Sequence, residues 1–262
     1  MMKIAFDLIS DLHIETWDTE FEWSGQATSP ICVVAGDVAR DPTVLKTTLE
    51  KISKCYKLTI FIDGNEEHKH NWDDLAHGPE RIHEIVNSVD GCVYLHDNVV
   101  VYNGVAFLGT NGWWDWNFDP SIDTYQSFKW FCDQYKCNEI VPYIIDGLAT
   151  SEAEYLCRSV SRLQMHPDIK EIVIVTHTIP MFKLVEHDTL LDGTYRMNIM
   201  GNTRLQNIFS ADTENKIKTW CIGHYHGVID SVIDGVRYVN NCRGRGDTEF
   251  RQVAYYPRRV EL

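Results

Sequence analysis

Residues 31–37 read Ile31-Cys32-Val33-Val34-Ala35-Gly36-Asp37, a continuous apolar run that ends on a glycine and a carboxylate. A run of this length without polar alternation predicts a strand covered on both faces, as in a buried α/β sheet. Similar runs occur at Lys3–Leu8, Leu58–Ile62, Glu171–Val175 and Lys218–Ile222. Val99–Tyr102 and Ala106–Leu108 flank Asn103-Gly104, a two-residue hairpin signal, and Val228–Val232 precedes a second one, Asp234-Gly235, ahead of Val236–Val239.

Helical patterns fill the gaps. Asp41-Pro42 offers an N-cap and a proline at the first helical position, followed by Val44, Leu45, Thr48, Leu49 and Ile52 on one face. Pro79 opens a segment with Ile82, Ile85, Val86 and Val89 at helical spacing, and Asp119-Pro120 opens one through Tyr135. Ser151 with Glu154 reads as a capping box ahead of Leu156, Val160 and Leu163. Strand–helix alternation followed by hairpins predicts an α/β fold with mixed sheets and helices outside. No repeat or linker divides the chain, so a single domain over 1–262 is expected.

The bulk properties narrow the function classes. With 44% hydrophobic and 24% charged residues the chain reads as globular, not disordered. No run approaches the roughly 18 apolar residues of a membrane span, and the first ten residues lack the pattern of a signal peptide. The eight cysteines are scattered without a C-x-x-C pair, which reads as buried thiols in a reducing compartment; a cytoplasmic location is expected. A formal net charge of −14 disfavours a general nucleic-acid binder. It leaves room for phosphate bound through metal ions, whose charge inverts the local field.

Five clusters of polar residues fall at the carboxyl ends of strand-like runs, where open α/β sheets place their ligand sites. They are Asp11-Leu12-His13, Gly36-Asp37, Gly64-Asn65-Glu66-Glu67-His68, His177 after Ile174-Val175-Thr176, and Gly223-His224-Tyr225-His226-Gly227. Residues two apart in extended backbone point the same way, so Asp11 with His13 can reach one ion. Each cluster alone also reads as an ordinary turn or strand end.

Taken in order, the clusters resemble the blocks D-x-H, G-D, G-N-H-[DE], a strand-end H and G-H-x-H of the calcineurin-like metallophosphoesterases. The resemblance runs from Asp11 to His226. It implies a four-layer αββα fold, with mixed sheets forming a central sandwich flanked by helices. It further implies one metal held by Asp11, His13, Asp37 and His226, and a second held by Asp37, Asn65, His177 and His224. A nitrogen and oxygen donor set without thiolate suits manganese, iron, zinc or nickel. Such a dinuclear centre hydrolyses phosphate esters with a metal-bound hydroxide. The expected activity is therefore that of a phosphatase or phosphodiesterase acting on a small phosphorylated substrate. A nuclease of the same fold and a metal-binding scaffold with weak catalysis are the alternatives.

The chain departs from the pattern at Glu66, where the family carries the histidine of G-N-H-[DE]. Glu66 as a desolvated acid, His68 as a substitute acid, and a substrate needing no acid all remain open. Three other features are candidates for substrate contact. Trp113 and Trp114 read either as an apolar wall beside the site or as an oligomer contact. Arg243, in Arg243-Gly244-Arg245-Gly246, reads as a phosphate-orienting guanidinium or as part of a solvated turn. The stretch Arg237–Arg259 carries six arginines, Arg251 among them.

Overall fold

The computed structural model describes residues 4–191, 193–248 and 254–262; Lys3 and Arg251, named above, lie outside them. Two mixed sheets form the centre. The first has five strands: β1 (Ala5–Ile9), β2 (Ile31–Ala35), β3 (Leu58–Ile62), β4 (Cys92–Tyr94) and β11 (Arg258–Glu261), in the order β11-β1-β2-β3-β4. The second has six: β5 (Val99–Tyr102), β6 (Val105–Thr110), β7 (Glu171–Thr176), β8 (Ile217–Ile222), β9 (Asp230–Ile233) and β10 (Val236–Asn240), in the order β5-β6-β7-β8-β10-β9. Pairs β1–β2, β2–β3 and β3–β4 are parallel, while β11 closes that sheet antiparallel.

Strand side chains alternate between two apolar layers. Phe6, Leu8, Val33, Ala35, Ile60 and Ile62 meet Phe107, Val173, Val175, Cys221 and Val239, filling the space between the sheets. On the far side of the five-stranded sheet, Cys32, Val34 and Phe61 pack under helices α1 (Pro42–Ser53) and α2 (Gly78–Asn87). On the far side of the other, Ile172, Ile174 and Trp220 pack under α3 (Thr124–Tyr135) and α4 (Val141–Gln164). Helix, sheet, sheet, helix: the expected four layers are present.

Local signals explain most element ends. Asp41 caps α1 by accepting hydrogen bonds from Thr43 and Val44 amides, with Pro42 in the first turn. Asn103-Gly104 and Asp234-Gly235 all have positive φ, as a two-residue hairpin turn requires. Two expectations are corrected. Ser151 and Glu154 lie inside the 24-residue α4, which starts ten residues earlier at Val141-Pro142, and the Ser151 hydroxyl donates to the Leu148 carbonyl. Thr and Ser hydroxyls bond back along a helix as readily as they cap one, so the spacing alone did not locate the start. Helix α3 begins at Thr124 with Asp123 as its cap, not at Asp119-Pro120. Asp119 is used elsewhere, accepting from the Ser121 amide and hydroxyl.

Candidate metal centre

Turns after β1, β2, β3, β7 and β8 converge at one edge of the sandwich and bring the seven ligand candidates together. Among the described residues, Asp11, His13 and His226 form one group whose ligand atoms all lie within 4.8 Å of one another. Asp37, His177 and His224 form a second, and His13, Asp37 and Glu66 a third. Asp37 stands between the first two. Its Oδ2 is 3.8 Å from His13 Nε2, and its Oδ1 is 3.4 Å from His177 Nε2. His226 Nε2 is 3.1 Å from both Asp11 Oδ1 and His13 Nε2.

The backbone that achieves this is unusual. Asp11, His13, Asp37 and His224 have φ of 50°, 43°, 55° and 63°, a left-handed region that non-glycine residues seldom occupy. Four such residues in one site mark strain held by the surrounding packing. The glycines leave no room for a side chain: a Cβ on Gly64 would lie 2.3 Å from Asp37 Oδ1, and one on Gly36, itself at φ +83°, 2.8 Å from the Gly64 amide nitrogen. Glu67 ties the two turns together. Its carboxylate accepts from the amides of Asp37, Val38, Ala39 and Gly64 at 2.6–3.1 Å.

Two histidine rings are oriented by backbone carbonyls. His177 Nδ1 is 2.8 Å from the Ala35 carbonyl, and His224 Nε2 is 2.8 Å from that of Ile199. Donation of these N–H groups leaves Nε2 of His177 and Nδ1 of His224 as the lone-pair nitrogens, a common orientation for metal-ligating histidine. His177 Nε2 and Asn65 Oδ1 are buried with no hydrogen-bond partner. Buried acceptors without partners are costly, and a cation satisfies both.

Electrostatics point the same way. Burial opposes charge on Asp37, yet His177 and His13 hold its carboxyl well below the usual range. Burial alone would depress His177, but Asp37 and Asp11 push it up to about 10. Burial and the neighbouring His177 push His224 down to about 3. The carboxylates thus demand a positive charge that His177 supplies by protonation, and bound metal would release that proton. The donor set fits divalent ions.

With that geometry, the fold can be placed among known ones. The phosphopantetheinyl hydrolase PptH from Mycobacterium tuberculosis superposes with a TM-score of 0.74 at 20% identity, covering 98% of this chain and 96% of its own. The fold is that of the calcineurin-like metallophosphoesterases. Another solved chain matches the metallophosphoesterase fold seen here with a TM-score of 0.52 at 11% identity, over 92% of this chain and 91% of its own. A putative 5'-nucleotidase from Staphylococcus aureus aligns at 15% identity with a TM-score of 0.48, over 92% of this chain and 49% of its own. No family model and no curated protein matches the sequence.

The remaining candidates lie in different surroundings. Glu66 is buried, and its carboxylate bonds Arg40 Nε, Lys69 Nζ and Arg245 Nη2. Burial and Asp37 raise its pKa, but Lys69 and Arg245 bring the carboxyl below its ordinary value. His68 turns away: its Nε2 is 2.6 Å from Asp63 Oδ2, and its ring packs 5.3 Å from that of Trp113. Trp113 and Trp114 are each 1% exposed and belong to the core under α3 and α4. Trp114 stacks on His224 from behind, with ring centres 5.9 Å apart and planes at 17°. Arg243 is also buried, its guanidinium 4.1 Å from the Trp17 ring centre.

Sequence reasoning did not single out Arg40, Lys69 or Arg245 as a group. They line a cleft of about 610 Å3 together with His13, Asp37 and Glu66. Only Lys69, three residues after Glu66, carried a local hint of contact.

Proposed function

We propose that the chain is a metal-dependent phosphoric ester hydrolase, one domain over residues 1–262, acting on a small phosphate mono- or diester. The observation that carries this reading is Asp37, whose two oxygens face different histidines, His13 and His177. In this reading Asp11, His13, Asp37 and His226 hold one divalent ion, and Asp37, Asn65, His177 and His224 hold the other. When bound, such ions supply Lewis-acid charge and lower the pKa of water, which removes any need for a nucleophilic side chain.

The chain's own residues supply the rest. Glu67 holds the Asp37 and Gly64 turns in register, and the Ala35 and Ile199 carbonyls set the histidine tautomers. Glu66, ionised among three cations, has no proton to donate to a leaving group. His68, engaged with Asp63 away from the cleft, does not replace it. The reading therefore favours esters whose leaving group needs no acid.

The test is turnover by metal-reconstituted protein of aryl phosphate monoester, aryl phosphate diester, cyclic nucleotide and single-stranded DNA. A phosphopantetheinyl ester joins the panel because a protein of the same fold is named for hydrolysing that group. Turnover of a small ester is expected; activity on DNA alone would favour a nuclease. No turnover with manganese, iron, zinc or nickel would leave a metal-binding scaffold and contradict the reading.

A further inference from the structure

Three cationic side chains from distant parts of the chain meet on Glu66. Arg40 follows β2, Lys69 follows the short 3-10 turn Glu66–His68, and Arg245 lies in the turn after β10. One carboxylate balances one of the three charges. Arg40 spends its Nε on Glu66 and Arg245 its Nη2, so both guanidinium groups keep further N–H groups for the cleft. Their side chains are 50% and 21% exposed, against 2% for Glu66, so the carboxylate lies beneath and the cations above it. Lys69 also lies 5.2 Å from the centre of the Tyr135 ring, which lines the same cleft.

The Arg245 turn is built to hold its place. Gly244 has φ +81°, and the Gly246 amide donates to Thr16 Oγ1 at 3.0 Å. A Cβ on Gly246 would lie 2.6 Å from the Thr16 carbonyl oxygen. Arg243 is locked over Trp17 on the other side. The turn therefore presents Arg245 as a fixed group, which reduces the entropy lost when it binds an anion.

We infer that Arg40, Lys69 and Arg245 form a second anion site beside the ligand cluster, and that the substrate is a phosphoanhydride whose leaving phosphate this site receives. The inference rests on the phosphoesterase reading. Two observations require each other here: a site without a proton donor for the leaving group, and a surplus of cations next to it. A phosphate monoester leaves as a stable anion, so it needs cations and no proton. In the balanced step, the oxygen of water bonds to one phosphorus and the bond from that phosphorus to the bridging oxygen breaks. The electron pair departs with the bridging oxygen, now part of a phosphate monoester. The two protons of water pass to solvent as both products ionise. Glu66 acts as a positioning residue that holds the three cations in one cleft wall.

The test compares two probes by calorimetry on full-length protein, metal-reconstituted and metal-free: adenosine 5′-monophosphate and its non-hydrolysable two-phosphate relative α,β-methylene-adenosine diphosphate. The two-phosphate probe is expected to bind about tenfold more tightly, a typical gain for a charge-assisted phosphate contact. Arg40→Gln and Arg245→Gln should each reduce that preference about threefold or more, and Arg245→Lys should restore part of it. Thermal unfolding of each variant reports whether it folds. Equal affinities in the wild type, or a preference untouched by either variant, would overturn the anion site. Turnover of bis(4-nitrophenyl) phosphate is scored separately. Turnover with equal probe affinities overturns this inference and keeps the phosphoesterase reading. A preserved preference with no turnover of any ester or dinucleoside pyrophosphate overturns the phosphoesterase reading and the anhydride substrate with it.

Discussion

The ligand cluster and the cation trio share one cleft but are made in opposite ways. The cluster stands on short side chains from left-handed turns, with glycines packed so tightly that a single methyl would collide with Asp37. The trio stands on long side chains that reach in from residues 40, 69 and 245, two of them partly exposed. Rigid placement suits a metal, whose coordination tolerates little error, while flexible cations suit an anion that differs between substrates and products. The comparison also explains Glu66 and Glu67. Glu67 accepts four backbone amides and serves the rigid part; Glu66 accepts three side-chain cations and serves the flexible one.

That contrast can be broken at several points. Trp114 stacks behind His224 in the core, so Trp114→Ala should cost about 4 kcal/mol in denaturant unfolding and lower metal content as well. A loss of stability with full metal content would show that the cluster does not depend on the core behind it. Gly64→Ala places a methyl against Asp37; kcat/KM should fall about a hundredfold, as for an ångström-scale displacement of reacting groups. Activity within about threefold of wild type would mean that the turn is less rigid than described.

Smaller effects test the supporting groups. Glu67→Gln keeps the shape but weakens its bonds to the amides, and should cost about 2 kcal/mol, read by the unfolding midpoint. Asp63 adds a pH dependence. Burial opposes its charge, but His68 and Tyr94 hold its carboxyl below the ordinary value. Because the folded pKa is depressed, its contribution is present at neutral pH and fades as pH falls below about 4, the ordinary value for an aspartate. Asp63→Asn should flatten the acid limb of a stability-versus-pH curve; an unchanged slope would remove Asp63 from that account. Arg40→Gln should have the smallest effect on stability, within about 1 kcal/mol, because half of that side chain faces solvent. A larger loss would place Arg40 in the rigid part.

How much could be read from the sequence follows the same division. Ile31–Ala35, Leu58–Ile62 and Glu171–Thr176 announced buried strands because unbroken apolar runs have few other uses. The strand-end residues Asp11 to His226 were legible as a set because each ligand sits a residue or two beyond its strand, so local order mirrors spatial order. The short β4 and β11 carried no such run, and β11 reads Arg258-Arg259-Val260-Glu261, a polar edge pattern. Arg40, Lys69 and Arg245 were hidden because their meeting depends on tertiary packing over 205 residues of chain, from 40 to 245. Arg243, two residues from Arg245, looked equivalent in sequence; stacking on Trp17 separates their roles.

The central claim is that Asp37 lies between two metal sites. Metal content per chain, measured by mass spectrometry on reconstituted and dialysed protein, tests it most directly. The account expects two equivalents for the wild type and one or fewer for Asp37→Asn, with hydrolysis lost. Two equivalents retained by Asp37→Asn, or fewer than one bound by the wild type, would contradict it.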